Sequence, residues 1–181
     1  MISLRSDITK KILNYFFINP HESLYVNELS RKLVLDKRNL VKKIKELEAE
    51  GLLTHQARGN LKLYSVNTRY PMYREYRKII MATIGVEGEL RRIFKDTVGV
   101  KEAYIYGSCA QDSMGAHSDI DVLVVGDASA ITLQKRIHKL QADIDREINL
   151  TVIDEREFKK KVRGKDPFIS GILRQKSIKL L

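Results

Sequence analysis

The sequence predicts an α+β chain, with an N-terminal helical region that ends in a β-hairpin, connecting helices, and a C-terminal region in which helices cover a small mixed sheet. Apolar residues recur at helical spacing through about the first fifty residues, and the same spacing returns between 73 and 98. Two strand-like segments then flank a loop between 103 and 125. Because 181 residues suffice for two small domains, we divide the chain into two domains, 1–69 and 99–181, and a connecting region, 70–98.

Three helices are predicted in the N-terminal region. The first carries Ile8 and Ile12 at helical spacing, and a shorter helix is expected over 28–34. Asp36 is a candidate N-cap for the third helix, which is expected to end at Gly51.

The third helix is predicted to be amphipathic. Leu40, Ile44 and Leu47 recur at helical spacing and form an apolar stripe, which predicts that this face packs against the core. The opposite face is basic and carries Arg38, Lys42 and Lys45.

A β-hairpin is predicted after the third helix. Its strands are Leu52–Gln56 and Leu61–Val66, and residues 57–60 form the turn. The order of helix, helix, basic helix and hairpin resembles the winged helix-turn-helix family, and the segments Leu24–Ser30 and Glu46–Leu53 carry that resemblance.

The resemblance to winged helix-turn-helix proteins implies DNA as a partner. In that family the third helix enters the major groove and the hairpin contacts the DNA backbone. The positions that match are Lys37, Arg38, Lys42, Lys43 and Arg58. Winged-helix DNA binders frequently act as dimers, so a homodimer is an open alternative to a monomer. Two other interpretations also stay open, namely a merely solvated basic face and a module for dimerisation or protein docking.

The connecting region shows helical spacing from Tyr73 to Val98, which Gly85 and Gly88 are expected to interrupt. It contains no Ser- or Gly-rich tether. We therefore expect ordered helices that restrict the relative motion of the two halves.

The C-terminal region contains the residues with the clearest chemistry. Gly107-Ser108 follows a predicted strand, and after ten residues Asp119-Ile120-Asp121 opens the next. Because successive strand side chains alternate between faces, Asp119 and Asp121 share a face and are close enough for one cation to bridge them. Gly107 permits close backbone approach, and the Ser108 hydroxyl with nearby amides can hold phosphate oxygens. The spacing therefore suits a metal–nucleotide site.

This combination resembles the nucleotidyltransferase superfamily of the DNA polymerase β type, and most closely its minimal nucleotidyltransferases. Ala110 and Ser118 also match, and the resemblance spans about residues 99–153. The tail, from about 157 to 181, is similar to winged-helix fusions of the same superfamily.

The superfamily resemblance implies a reaction and its ligands. Gly107 and Ser108 would contact a nucleoside triphosphate such as ATP, and Asp119 and Asp121 would bind Mg²⁺ or Mn²⁺. A nucleoside monophosphate would be transferred to a hydroxyl of a protein or a nucleic acid. Minimal nucleotidyltransferases occur with HEPN-family partners in toxin–antitoxin pairs, which makes a protein acceptor one of the open alternatives.

The sequence departs from the superfamily pattern at two positions. Asp112 stands where the family often has glycine, and nearby Gly115 is a candidate to compensate. The segment that matches the family's third carboxylate has Asn149, whose amide can ligate a metal through oxygen but cannot accept a proton. We therefore predict Glu147 as the third acid. It lies either on the same strand face, if the strand has begun, or at the end of the preceding helix.

Two functions remain open at this point. The first is an Mg²⁺-dependent nucleotidyltransferase carried on a DNA-binding winged helix. The second is a DNA-binding transcriptional regulator whose nucleotidyltransferase domain is degenerate and only binds nucleotide, and a scaffold without ligand is a third, duller option. The charge is compatible with both, since 33 Lys and Arg against 23 Asp and Glu leave +10, which favours polyanionic partners.

Composition also sets the expected location. The apolar runs, such as Val122–Val125, fall far short of a membrane span, and the N-terminus lacks the apolar segment of a signal peptide. The single cysteine, Cys109, cannot form an internal disulfide. We expect a cytoplasmic protein with no membrane partner.

Overall fold

The computed structural model describes residues 4–111, 113–115 and 118–181. Over these residues the chain divides into two compact units, Met1–Val86 and Glu87–Leu181. Nothing in the part of the chain that is described forms a helix with the length and apolar character needed to cross a membrane.

The first unit contains the three predicted helices, the hairpin and a further helix in the predicted order, together with a short strand between the first two helices that was not predicted. Its elements are α1 (Asp7–Ile18), β1 (Leu24–Tyr25), α2 (Val26–Leu33), α3 (Lys37–Ala49), β2 (Leu53–Arg58), β3 (Leu61–Val66) and α4 (Tyr73–Thr83). The strands form an antiparallel sheet in the order β1-β3-β2.

The core of the first unit follows from the helical periodicity. Side chains of α1 from Ile12 to Ile18 are all buried, and Leu29 and Leu33 of α2 pack into the same cluster. The predicted stripe of α3 is buried there too, at Leu40, Ile44 and Leu47. Asp36 caps α3, because its carboxylate accepts a hydrogen bond of 2.9 Å from the Asn39 amide.

The structure moves several predicted element bounds. The short helix begins at Val26 rather than at residue 28. The second strand continues to Arg58, which pairs with Leu61, so the hairpin turn is only Gly59 and Asn60. Gly59 has a φ of 63°, a left-handed conformation for which glycine is favoured in two-residue turns.

The predicted helical region after the hairpin is broken once, at Gly85. A Cβ at Gly85 would lie 2.7 Å from the Met81 Cα, so only glycine permits this close approach. The second break predicted at Gly88 is wrong, because Gly88 lies inside α5 (Val86–Lys95). A helical glycine costs only about 1 kcal/mol relative to alanine, which the burial of Leu90 and Phe94 in this helix can offset.

The second unit is a mixed sheet covered by helices, as the sequence predicts. Its elements after α5 are β4 (Val100–Tyr106), α6 (Gly107–Ala110), β5 (Ile120–Gly126), α7 (Ala130–Ile144), β6 (Ile148–Ile153), α8 (Glu155–Arg163), α9 (Pro167–Arg174) and β7 (Ile178–Lys179). The sheet order is β6-β5-β4-β7. Strand β5 runs parallel to β6 and antiparallel to β4, and β7 is antiparallel to β4.

Strand β5 is the centre of the second core. Leu123 and Val125 pack with Phe158 of α8 and Ile169 of α9, while the alternate residue Val124 is also fully buried. Both faces of β5 are therefore covered, and Asp119 and Asp121 lie at its N-terminal end.

Candidate functional site

The glycine at the end of β4 lies directly against one of the two predicted carboxylates. Tyr106 pairs with Asp121 across the sheet, which brings the start of α6 beside β5. Gly107 has a φ of 70°, and a Cβ there would lie 2.6 Å from Asp121 Oδ2. Gly107 is thus required both by its backbone conformation and by the space that the Asp121 carboxylate occupies.

Asp119 and Asp121 both lie within hydrogen-bonding distance of one side-chain amide, that of Asn149. Asn149 pairs with Asp121 in the parallel register of β5 and β6. Its Nδ2 donates to Asp119 Oδ2 at 3.2 Å and makes a longer contact of 3.5 Å to Asp121 Oδ1. Asp119 and Asn149 are exposed and Asp121 is half-buried, so solvent reaches the group.

Ser108 lies at the first turn of α6, half-buried. Its carbonyl accepts a hydrogen bond of 3.0 Å from the amide of Ser113, which folds the following loop back onto the helix. Further along the loop, the Gly115 amide donates to Ser118 Oγ at 2.8 Å. Asp112 and His117 lie outside the described residues.

Arg146 is a residue that the sequence reasoning missed. Its side chain is buried at 7% exposure, and Nη1 donates to the carbonyls of Gly115 at 3.0 Å and Ser118 at 2.9 Å. It therefore links the backbone of Gly115 to that of Ser118, the residue directly before Asp119. The sequence carries no signal for this role, because backbone carbonyls have no sequence signature and Arg146 follows a helix like an ordinary surface arginine.

Glu147 lies in neither of the two positions considered for it. Helix α7 ends at Ile144 and β6 begins at Ile148, so Glu147 belongs to the connection between them. It is exposed, and its carbonyl accepts a hydrogen bond of 2.9 Å from the Ile120 amide. The side chain that reaches the two carboxylates is that of Asn149.

The donor atoms available to a cation are two carboxylates and an amide. No group of three or more His, Cys, Asp or Glu side chains suited to a metal ion occurs among residues 4–111, 113–115 and 118–181. Asp119, Asp121 and Asn149 nevertheless present oxygen atoms, the donor type that Mg²⁺ prefers.

Tyr106 lies beside this group at the end of β4. It is half-buried, and its ring meets that of Phe168 edge-on with centroids 5.6 Å apart. Burial raises the pKa of the Tyr106 phenol, a hydrogen bond with Thr151 lowers it, and the Asp121 charge raises it further. A cleft of about 240 Å³ opens beside Tyr106 and Gly107 and is bounded by α9.

The residues nominated for DNA contact lie in the first unit. Lys37, Arg38 and Lys42 are exposed on α3, and Arg58 is exposed at the end of β2. Lys43 is only half-exposed and forms an ion pair of 2.6 Å with Glu46 one turn away, which neutralises part of its charge.

Comparisons with known proteins place the second unit in a family. A model described as "Nucleotidyltransferase domain" matches residues 87–179. A toxin–antitoxin complex crystallised with AMP-PNP is 18% identical with a TM-score of 0.36, over 52% of this chain and 72% of that chain. A putative nucleotidyltransferase from Sulfolobus solfataricus is 22% identical with a TM-score of 0.29, over 41% and 68%. A comparison with curated proteins gives no significant match.

The matched segment begins at Glu87, the first residue of the second compact unit, and includes Gly107, Ser108, Asp119 and Asp121. It covers just over half of the 181 residues. The chain therefore belongs to the nucleotidyltransferase domain family.

Proposed function

We propose that the chain is an Mg²⁺-dependent nucleotidyltransferase that moves a nucleoside monophosphate from a nucleoside triphosphate to a hydroxyl of a protein or a nucleic acid. The observation that carries this proposal is the convergence of Asp119 and Asp121 on one amide, with Gly107 packed against the Asp121 carboxylate. Membership of the nucleotidyltransferase domain family supports it.

The residues at this position fit a divalent cation. Mg²⁺ is usually held by one or two carboxylates together with substrate phosphates, and Asp119 and Asp121 supply such a pair. The Asn149 amide donates its N–H groups to the carboxylates, and a half-turn about its side chain would present Oδ1 instead. A bound cation would neutralise charge on the triphosphate and orient it.

The chain's own residues then have distinct tasks. Gly107 and Ser108 hold phosphate oxygens through backbone amides and the Ser108 hydroxyl. Arg146 holds the backbone at Gly115 and Ser118, beside Asp119, through its two carbonyl contacts. Phosphoryl transfer depends largely on such positioning and on charge stabilisation rather than on covalent chemistry by the protein.

Proton removal from the acceptor hydroxyl needs a base that Asn149 cannot provide. We propose Glu147 for this role. Its carbonyl contact with the Ile120 amide keeps its backbone next to the start of β5, where Asp119 lies.

The test is label transfer from each of the four α-labelled nucleoside triphosphates into the protein itself, host protein or RNA, with Mg²⁺ or Mn²⁺. Asp119→Asn with Asp121→Asn should abolish transfer by removing both carboxylates. The matched control is Asp143→Asn with Asp145→Asn, which removes the same charge at the same spacing at the end of α7. If the double variant at Asp119 and Asp121 still transfers label, these carboxylates are not required and their assignment is rejected. If the wild type transfers no label under any condition, the proposal that the chain is a nucleotidyltransferase is rejected.

A second function is favoured by the exposed basic face of α3. We propose that the first unit is a winged helix-turn-helix domain that binds DNA through Lys37, Arg38, Lys42, Lys43 and Arg58. The apolar stripe of α3 is buried, so its cationic face is available to phosphates, and the hairpin carries Arg58 exposed. Combined with a catalytically degenerate second unit that binds nucleotide, this would make a transcriptional regulator.

DNA binding is tested by the dependence of affinity on salt. Lys42→Ala with Lys43→Ala should reduce the slope of log K against log salt by about one for each DNA phosphate that is no longer neutralised. Lys78→Ala is the control, because Lys78 is exposed on α4 and belongs to no proposed DNA contact. An unchanged slope in the double variant would reject Lys42 and Lys43 as DNA contacts. DNA binding that ignores salt, or no DNA binding at all, would favour a protein-docking role for this domain.

A further inference from the structure

A cleft adjoins the proposed phosphate site and is not used by it. It measures about 240 Å³. One wall is Tyr106 and Gly107, at the junction of β4 and α6, and the other is α9 with the residues that follow it. Gly107 belongs both to the proposed phosphate site and to the lining of the cleft. A triphosphate held at Gly107 would therefore have its nucleoside end within reach of the cleft.

The cleft wall on α9 is built by helical spacing. Asp166 caps this helix by accepting from the Ile169 amide at 3.0 Å. Ile169 is fully buried in the core, whereas Phe168, Gly171 and Gln175 recur at spacings of three and four and line the cleft. Ile172 is buried in the same core and also lines the cleft.

Two residues on that face leave room for a flat ring. Phe168 keeps 45% of its surface exposed although it is a large aromatic side chain. A Cβ at Gly171 would have no atom within 4 Å. The result is an exposed aromatic face beside an empty position, which is the arrangement that a stacked nucleobase needs.

Polar groups lie at the rim of the cleft. Gln175 Oε1 accepts a hydrogen bond of 3.2 Å from Gln111 Nε2, which ties the end of α9 to the residue after α6. Lys176 is exposed and contributes a positive charge to the lining. A nucleoside that carries phosphates suits this pairing of aromatic ring and ammonium group.

We propose that this cleft binds the base and ribose of the nucleoside triphosphate, with the base stacked on Phe168 above Gly171. The inference rests on the proposed function, because the phosphates at Gly107 and Ser108 determine which part of the ligand reaches the cleft. Helix α9 then supplies the surface on which the base stacks.

The test fills the cleft without touching the phosphate site. Gly171→Leu places a side chain where the base would lie, and Phe168→Ala removes the stacking surface. Loss of stacking should weaken binding of the preferred nucleoside triphosphate to the full chain about tenfold or more, as measured by calorimetry in Mg²⁺ buffer. Binding of inorganic tripolyphosphate, which has no base, should not change.

Controls separate packing from folding. Leu173→Ala, at an exposed residue of α9 that does not line the cleft, should bind the triphosphate as the wild type does. Gly171→Leu should be at least as stable as the wild type because glycine is a poor helix former. If Gly171→Leu binds the nucleotide with unchanged affinity, the base does not occupy the cleft and the proposal is overturned. Equal losses for triphosphate and tripolyphosphate would overturn it as well, since the change would then act on the phosphate site.

Failure of this inference is distinguishable from failure of the proposed function. A wild type that transfers label but binds triphosphate no more tightly than tripolyphosphate refutes only the base site. A wild type that neither binds triphosphate nor transfers label refutes both.

Discussion

Gly107→Ala is expected to damage both stability and nucleotide binding, for two separable reasons. Alanine at a φ of 70° adopts the left-handed conformation at a cost of about 1 kcal/mol or slightly more. Its Cβ would also lie 2.6 Å from Asp121 Oδ2, so the carboxylate must rotate off its rotamer for about 1 kcal/mol more. We therefore expect the unfolding free energy of the second unit to fall by about 2 kcal/mol, together with a displaced Asp121.

Gly59→Ala provides the matched control. Gly59 has a similar φ of 63°, but a Cβ there meets nothing within 4 Å. It should cost only the backbone strain, about 1 kcal/mol, and leave nucleotide binding intact. Urea unfolding followed by circular dichroism gives the two free energies, and calorimetry gives the affinities. Equal destabilisation by the two variants, with nucleotide binding retained in Gly107→Ala, would refute the assigned contact between Gly107 and Asp121.

Other expected outcomes follow from single contacts. Arg146→Met removes the charged donor from two loop carbonyls and should lower the unfolding free energy by about 2 to 3 kcal/mol, whereas an unchanged urea midpoint would argue against that role. Burial raises the pKa of the Tyr104 phenol above its ordinary value of 10.0, and the hydrogen bond to Glu102 raises it further. The folded state thus holds this proton more tightly, so stability is full below pH 10.0 and falls as pH rises through the raised pKa. Tyr104→Phe should make that alkaline fall in urea-measured stability shallower, and an identical pH profile would contradict the assignment. Asn149→Asp would place a third carboxylate beside Asp119 and Asp121, with a repulsion of about 1 kcal/mol from each. The variant should therefore have a lower unfolding free energy than the wild type in EDTA and a larger increase in unfolding free energy on addition of Mg²⁺. Equal responses of the two proteins would reject a cation site shared by these three side chains. Glu147→Gln should abolish transfer, and unchanged turnover would reject Glu147 as the third acid.

The sequence predicts those parts of the fold and site that depend on local periodicity. Alternation along a strand puts Asp119 and Asp121 on one face, and the structure brings both carboxylates to one amide. Asp36 is predictable as a helix cap because its residue type and its position before an apolar stripe are both local signals.

Contacts between distant segments are not predictable in this way. Arg146 donates to the carbonyls of Gly115 and Ser118, which precede it in the chain by 31 and 28 positions, and any loop offers such acceptors. The cleft beside Gly107 depends on where α9 packs against the sheet, which local spacing does not specify. The break predicted at Gly88 is wrong because tertiary burial of α5 outweighs the low helix propensity of glycine.

Under the proposed function, Asn149 would affect binding of the nucleotide and its transfer in opposite ways. As a neutral donor it bridges Asp119 and Asp121, so the pair is held together without a third negative charge. An asparagine in place of a carboxylate at position 149 also removes a proton acceptor from the face where the acceptor hydroxyl would lie. The first effect would preserve a site able to bind a nucleotide, and the second would slow transfer unless Glu147 supplies the base. Nucleotide affinity is consequently expected of both the enzyme and the regulator, and only transfer of label distinguishes them.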